Sequence, residues 1–481
     1  MKTESWKGKR VVIIGAARQG LALARYFARH GARVILNDRR KPDQLGAEME
    51  SLSKYEVEWA LGGHPLEILE PGPELVCVSG GIPLENPLVV YARANGMCVS
   101  NDTQVFMEAA PCKTIGITGS AGKTTTTTLV GRMARAGMSA KAGRMWVGGN
   151  MGDPLLNHVD EMEPADLAIL EISSFQSELM RSSPNVAAIL NITPNHLDRH
   201  GNMENYIAAK RNVIEYQKAD DYAVLGRDDP NTWALAGSVR SHVFSFGFSQ
   251  PATGQDGAYV EAGKFYIRRA GLVTRLAVEE HIGLRGDHNK LNALAACAIA
   301  YTAGFGPESM LAGIEGFQGV PHRLEFVRNW HGADWYNDSI ATAPERTIAA
   351  IRSFGGGLIL LLGGRDKNLP WEDLGRLIRE RVVIEGQCVH VVIFGEAGQK
   401  IQAAVGAETF ALDEKRIAAD LFSVTVVEKC QDAVVAASRL ARPGLVVLFS
   451  PGGTSFDEFK DFEERGERYK QWVLEFSEAL R

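Results

Sequence analysis

The sequence predicts an α/β protein of three domains, and two patterns carry that reading. Short β-branched or leucine-rich runs recur along the 481 residues, each followed by helical periodicity: residues 11–14, 34–36, 75–78, 114–118, 167–170, 186–190, 358–362, 389–394 and 445–449. Near-continuous apolar strands alternating with helices form parallel sheets covered on both faces. The second pattern departs from the first. Residues 243–278 alternate, with Tyr259/Val260 and Phe265/Tyr266/Ile267 between glycine-rich turns, which reads as an antiparallel patch decorating the middle domain. Residues 111–113 precede one new strand, and residues 319–321 precede another that begins at Leu324. The expected organisation is a Rossmann-like parallel sheet in 1–111, a P-loop ATPase-like mixed sheet in 112–319, and a second Rossmann-like domain in 320–481, each of ordinary domain size.

Composition narrows the function classes. Hydrophobic residues make up 45% and charged residues 23% of the chain, the balance of a soluble globular protein. A net charge of −6 argues against a broad nucleic-acid-binding face, which is basic. Cys77, Cys98, Cys112, Cys297, Cys388 and Cys430 form neither a CxxC pair nor a Cys/His cluster, so zinc is not expected. They read as small buried hydrophobes in a reducing compartment. The apolar run 11–14 is too short for a signal-peptide core, and no uninterrupted stretch approaches the roughly 18 residues of a membrane helix. The expectation is a cytoplasmic monomer that works on small molecules, without membrane or nucleic acid.

The strongest local signal reads Gly116-Ile-Thr-Gly-Ser-Ala-Gly-Lys-Thr124. A strand runs into a glycine loop and then a helix, expected to reach Ala136 and end at Gly137. Gly119 and Gly122, with Ser120 and Ala121 between them, let backbone N–H groups turn toward a phosphate chain, and the helix N-terminus adds partial positive charge. Lys123 is placed to reach the β/γ-phosphates and the Thr124 hydroxyl to ligate magnesium. The general motif carries glycine five residues before its Gly-Lys pair. Ile117 stands there, so this is the shorter G-x-x-G-K-T form. The five threonines 124–128 read as mostly helix surface.

Other candidates are weaker by themselves. Glu171 ends the run 167–170, and a carboxylate at the carboxyl edge of a parallel strand faces the ligand crevice. Gly15-Ala-Ala-Arg-Gln-Gly20 with Asp38 downstream imitates the dinucleotide fingerprint, but Ala17 replaces its second glycine. His196 reads as a surface loop histidine and Lys210, in the helical stretch 206–216, as an exposed helix lysine. Asn289 and Asn292 begin a helix over 291–301, where capping is the plain alternative. Asp338 follows the strand 335–336.

Taken in order, the blocks 118–125, Gly148-Gly-Asn-Met-Gly152, Leu170-Glu-Ile-Ser-Ser-Phe-Gln176, Asn191-Ile-Thr-Pro-Asn-His-Leu-Asp198, Ala208-Ala-Lys210, Asp287-His-Asn289 with Asn292, Pro321-His-Arg323, Asn337-Asp-Ser339, Gly363-Gly364 and Ser450-Pro451 resemble the Mur ligase family, and within it the members that add glutamate. The resemblance runs from the first strand to the final helix, and the shared order and spacing make it specific.

It implies an ATP-dependent ligase of peptidoglycan synthesis that joins glutamate to UDP-N-acetylmuramoyl-L-alanine. In that chemistry the γ-phosphoryl group moves to the acceptor carboxylate, and the glutamate amine attacks the acyl phosphate. The implied catalytic residues are Lys123, Glu171, His196, Lys210 and Asn150. Two magnesium ions are implied: one on Thr124 and Glu171, the other on His196 and on Lys210 carbamylated by carbon dioxide. Asn150 would contact the muramoyl substrate and phosphate. ATP would be held by Gly119, Ser120, Ala121, Gly122, Lys123, Thr124 and Thr125, with Asn289 and Asn292 facing adenine, Arg323 on the phosphates and Asp338 on the ribose.

The resemblance gives the first domain the UDP group. Gly15, Arg18, Gln19 and Gly20 would bind diphosphate, Asp38, Arg39 and Arg40 the uridine end, and Ser79 and Gly81 would complete the pocket. Thr342, Lys367, Ser455, Phe456 and Phe462 would hold glutamate. One departure stands out: many members carry lysine where this chain has Ile340, so Lys367 or Arg365 is expected to compensate. D-glutamate is the expected substrate and L-glutamate the alternative. A folylpolyglutamate-type ligase, a sibling adding another amino acid, and a non-catalytic nucleotide-switched binding protein are the remaining readings.

Overall fold

The computed structural model describes residues 6–139, 143–276, 278, 281, 283, 287–366, 369–406 and 421–476. Three sheets form, as expected, each with helices on its faces. The first holds β1 (Arg10–Ile14), β2 (Arg33–Asp38), β3 (Val57–Leu61), β4 (Leu75–Val78) and β5 (Val99–Ser100) in the order β3-β2-β1-β4-β5. All its pairings are parallel. Strand order reverses between β1 and β4, and in doubly wound sheets the ligand crevice opens there, beyond the carboxyl ends. The glycine turn after β1 has a steric cause. A Cβ on Gly20 would lie 1.8 Å from the Gly15 carbonyl oxygen, and Gly15 itself has φ +97°. Only glycine lets the helix Arg18–Arg29 start this close to its strand.

The second sheet contains β6 (Lys113–Thr118), β7 (Met145–Gly149), β8 (Leu167–Glu171), β9 (Val186–Ile189), β10 (Tyr222–Gly226), β11 (His242–Gly247), β12 (Gly257–Glu261), β13 (Lys264–Arg269) and β14 (Leu272–Leu276). Its order is β14-β13-β12-β11-β10-β9-β6-β8-β7. The antiparallel patch exists as β12-β13-β14, turned by two-residue loops in which Ala262, Gly263, Ala270 and Gly271 all have positive φ, the geometry tight hairpins require. It does not decorate the sheet from outside, however. β11 pairs in parallel with both β10 and β12, so the patch extends the main sheet.

The helix after the phosphate loop, Lys123–Gly137, corrects another expectation. Thr125, Thr126 and Thr127 are buried rather than on the surface, because the helix packs against the helices Asp287–Thr302 and Pro307–Ile314 as well as the sheet. The alanine-rich face of Asp287–Thr302 allows that close approach.

The third sheet has β15 (Glu325–Trp330), β16 (Ala333–Asn337), β17 (Leu358–Gly363), β18 (Val389–Phe394), β19 (Phe422–Val426) and β20 (Val446–Gly452), in the order β15-β16-β20-β17-β18-β19. Only the edge pair β15–β16 is antiparallel. β17 and β18 are buried along their whole length, with alternate residues entering two apolar clusters, one on each face. That explains why they read as unbroken apolar runs.

The chain divides into two compact units, Met1–Phe317 and Gln318–Arg481. Within the first, one apolar cluster is continuous from Val11 and Phe27 to Leu156 and Ile189. No described helix is long and apolar enough to cross a membrane. The cysteines are less uniform than expected: Cys77, Cys297 and Cys430 are buried, Cys112 and Cys388 partly so, and Cys98 is exposed.

The Gly15–Gly20 contact yields a stability prediction. Gly20→Ala should cost about 2–3 kcal/mol, the scale of overpacking against backbone, read as a lowered urea midpoint. An unchanged midpoint would show that the turn relaxes freely.

Candidate active site

The phosphate loop lies between β6 and the helix Lys123–Gly137, at the carboxyl edge of the second sheet. Gly122 has φ +84° and caps the helix, and a Cβ there would fall 2.2 Å from Asn292 Oδ1. Asn292 therefore lies directly against the loop, and its amide donates to Asn289 Oδ1 at 3.3 Å. Both asparagines sit within the helix Asp287–Thr302 and not at a cap before it. Lys123 Nζ donates to Gly119 O at 2.9 Å, so the cation rests over its own loop.

The segment after β9 stitches the loop in place. Asn191 Oδ1 accepts from Ala121 N at 2.8 Å and its amide donates to Ala121 O at 3.2 Å. Ser120 Oγ donates to Thr193 O at 2.9 Å and meets the Tyr206 hydroxyl at the same distance. Asn191 and Tyr206 were not singled out from sequence. Asn191 lies in a family block, but only the packed loop reveals its backbone-mimicking role.

Lys210 is the clearest difference from its isolated reading. It is 1% exposed, and Nζ donates to Gly119 O at 3.1 Å and Thr118 Oγ1 at 3.2 Å, both neutral oxygens. Burial, reinforced by the charge of Lys123, pushes its amine well below the ordinary lysine range. The helix Met203–Glu215 buries Tyr206, Ala209, Lys210, Val213 and Ile214. Those positions form one i, i+3, i+4, i+7, i+8 stripe, so the sequence did carry a signal that Lys210 faces inward.

Glu171 ends β8 beside Ile117 of β6 and is 3% exposed. Its Oε1 accepts from Asn150 Nδ2 at 2.7 Å, while the buried Oε2 accepts no hydrogen bond from the described residues. Asn150 N also donates to Glu171 O at 2.8 Å, and Arg18 Nη2 reaches Asn150 O at 3.2 Å. The first sheet's glycine turn is thereby tied to this carboxylate. A buried carboxylate oxygen without a donor fits a cation ligand. Among the described residues no three His, Cys, Asp or Glu side chains converge. Besides Glu171, the Thr124 hydroxyl is the side chain of the loop suited to a magnesium ion.

His196 is exposed and has φ +53°, an uncommon conformation for a non-glycine residue. It precedes the short helix Leu197–His200. Its ring lies 5.1 Å from that of Phe175, which stacks on His200 at 5.3 Å and carries the Arg199 guanidinium at 4.4 Å.

In the first-sheet crevice, Asp38 Oδ2 accepts from Ala16 N at 2.8 Å and from Arg40 Nη2 at 3.0 Å, and Oδ1 accepts from Arg40 Nε at 3.1 Å. Burial opposes the charge, yet these bonds and the guanidinium hold the Asp38 carboxyl below its ordinary value. Asp38 and Arg40 thus anchor the turn after β1, whereas Arg39 is exposed and Gln19 half-buried. The buried Ser79 hydroxyl has no hydrogen-bond partner among the described residues. Beside it, Arg199 donates to Gly81 O at 3.4 Å and Ile82 O at 3.2 Å.

The second unit gathers most of the remaining candidates around loops at one end of its sheet. Asp338 Oδ1 accepts from Leu324 N at 3.2 Å and Oδ2 from Ser450 Oγ at 2.7 Å. Arg465, fully buried, donates to Ser339 Oγ, Ser339 O and Gly453 O at 3.0, 2.8 and 3.1 Å. Ser339 Oγ donates to Phe462 O at 2.9 Å. Thr342 is half-buried, Ser455 buried, and Arg323 and Phe456 exposed; Phe462 opens the helix Phe462–Leu474. Lys367 lies outside the described residues. Arg365, one suggested replacement for the missing lysine at Ile340, is forked onto Glu396 at 2.7 and 2.9 Å. A different cation stands at that position: Arg346 Nη1 donates to Ile340 O at 3.2 Å.

Comparison with known proteins agrees with this layout. Residues 117–300 match the Mur ligase middle domain, 9–101 the Mur ligase MurD-like N-terminal domain, and 322–453 the Mur ligase glutamate ligase domain. The UDP-N-acetylmuramoylalanine–D-glutamate ligase of Pelotomaculum thermopropionicum is 38% identical over 97% of each chain. That of Symbiobacterium thermophilum is 36% identical over 97% of this chain and 98% of its own. Among solved structures, MurF from Acinetobacter baumannii resembles this fold with TM-score 0.56 at 16% identity, covering 96% of this chain and 93% of that one. The UDP-N-acetylmuramate-alanine ligase of Thermotoga maritima gives 0.53 at 18%, covering 97% and 99%.

Burial, opposed by the Ser450 hydroxyl, the Leu324 amide and Arg323, raises the Asp338 carboxyl from 3.8 to about 6. A raised carboxyl holds its proton more tightly when folded, so its contribution to stability is complete below pH 3.8 and lost as pH rises through about 6. Urea midpoints for wild type and Asp338→Asn should show a shallower decline across that window in the variant. Parallel declines would sink the assignment.

Proposed function

Since the chain belongs to the Mur ligase family, we propose that it adds D-glutamate to UDP-N-acetylmuramoyl-L-alanine through an acyl phosphate, releasing ADP, in cytoplasmic peptidoglycan synthesis. It is an ATP-dependent ligase. The observation that carries the site assignment is Lys210, buried against the phosphate loop with neutral partners only.

In this reading the amides of the loop and Lys123 gather the phosphate charge, and catalysis is mainly positioning and charge neutralisation. Lys123 leaves Gly119 O for the β/γ-phosphates. Asn150, oriented by Glu171, aligns the acceptor. The Ser79 hydroxyl, the amides of the turn after β1 and Arg39 receive the UDP end, and Asn289 and Asn292 face adenine. Arg323 and Asp338 serve the nucleotide, and Thr342, Lys367, Ser455, Phe456 and Phe462 serve the amino acid. Mur ligases use ATP and magnesium. When bound, magnesium neutralises the phosphates and the acceptor carboxylate; Thr124 and Glu171 would hold one ion, and His196 with carbamylated Lys210 the other.

The burial of Lys210 supports its carbamylation. A lysine whose neutral form is favoured is a nucleophile for carbon dioxide, and the product carries the anionic oxygens that the neutral surroundings lack. Arg346 supplies the cation beside Ile340 that other members take from lysine. The proposal includes a monomer that needs no nucleic acid or membrane.

Phosphate release with UDP-N-acetylmuramoyl-L-alanine and a panel of amino acids tests the function. D-glutamate should give the fastest turnover; faster L-glutamate, or hydrolysis independent of the acceptor, overturns the reading. Lys210→Ala should lower kcat by about 100-fold or more, the scale of losing an electrostatic stabiliser. Full turnover by that variant removes the carbamate from the mechanism. Arg346→Gln should raise KM for glutamate about tenfold with kcat little changed, and adding Ile340→Lys should restore it. An unaltered KM would deny Arg346 its role.

A further inference from the structure

One cluster of nucleophilic and basic side chains in the second unit takes no part in the ligase reaction. Cys388 directly precedes β18 and His390 is that strand's second residue, so both face the side of the sheet covered by the helix Cys430–Leu440. Cys388 Sγ lies 3.2 Å from His390 Nε2. His390 Nδ1 lies 2.7 Å from the hydroxyl of Ser423, its register partner on β19. Arg442 Nη2 donates to the sulfur at 3.2 Å. His390 is 3% exposed, so packing holds its ring. In the tautomer whose Nδ1–H donates to Ser423 Oγ, Nε2 faces the Cys388 thiol as an acceptor. The set is a nucleophile, a base, a hydroxyl that orients the base, and a cation.

We propose that Cys388 is a thiol-modification site that reacts with small disulfides to form a mixed disulfide. His390 Nε2 takes the thiol proton while Arg442 stabilises the sulfur anion. The sulfur attacks one sulfur of the disulfide, forming a new S–S bond and expelling the other half as a thiolate, which takes up the proton. Cys388 is oxidised and the expelled thiol is the reduced product, so no further reactant is needed.

The other cysteines provide the contrast. Burial pushes the thiols of Cys77 and Cys430 well above their ordinary value, that of Cys297 to about 12, and raises Cys112. Cys98 is exposed, yet no hydrogen bond to its thiol is found among the described residues. Accessibility alone would make Cys98 react first, whereas activation by neighbours would favour Cys388. Cys388 also precedes the amino end of β18, whereas Gly363 and Ser450 lie toward the carboxyl ends of β17 and β20, which separates it from the ligase residues of its sheet.

The test is reaction of the full-length protein with substoichiometric 5,5′-dithiobis(2-nitrobenzoate), followed by peptide mapping. Cys388 should be labelled at least tenfold faster than Cys98. His390→Gln, and separately Arg442→Gln, should slow labelling at Cys388 at least fivefold and leave Cys98 unchanged. Because Arg442 is exposed, its variant decides the matter if His390→Gln does not fold. Labelling of Cys98 first, or a Cys388 rate unaltered by Arg442→Gln, overturns the proposal.

Discussion

A phosphate loop has to hold its shape before its ligand arrives, and that requirement organises the first unit. The loop keeps its shape through contacts made behind it. Asn191 brackets Ala121, Ser120 is pinned to Thr193 and Tyr206, and Asn292 occupies the space a Cβ on Gly122 would fill. The bracing itself spends two loop amides, Ala121 N on Asn191 Oδ1 and Ser120 N on Asn191 O. A loop braced in this way is shaped before charge arrives.

Behind that loop the protein accepts an electrostatic cost. An ammonium at Lys210, buried near Lys123, has the neutral oxygens of Thr118 and Gly119 as its hydrogen-bond acceptors among the described residues. Glu171 carries the complementary cost, with one buried carboxylate oxygen lacking a donor. Each is unfavourable in isolation, which is what the proposed binding of cations and phosphates would relieve. The contact of Arg18 with Asn150 then joins this pocket to the crevice of the first sheet, so the two candidate subsites share one rigid connection.

The second unit solves a similar problem with a buried cation. Arg465 ties the loop after β16, at Ser339, to Gly453 after β20, and burial pushes its guanidinium down to about 10. Its three acceptors, like those of Lys210, are neutral oxygens. The arginine starts from a higher value than the lysine, and its planar fork satisfies several acceptors at once.

Much of this was legible in the chain. Apolar runs marked many of the parallel strands, most to within a residue or two, because a strand buried on both faces has no freedom to be polar; β3, β5, β7, β10 and β19 were not among them. The phosphate loop was legible because glycine, lysine and threonine are each required at fixed local offsets. The antiparallel patch was also readable, although the way it continues the main sheet depends on the pairing of β11 with β12. What local pattern could not settle was burial and partnership across distance. Threonines 125–127 looked like surface until two later helices covered them, and Lys210 looked exposed although its helical phase placed it in the apolar stripe. Arg346 beside Ile340, Asp38 clasped by Arg40, and Cys388 with His390 and Ser423 are meetings that only the packed sheets create. Sequence fixes local geometry through sterics and periodicity; the electrostatic state of a side chain depends on what the rest of the fold brings against it.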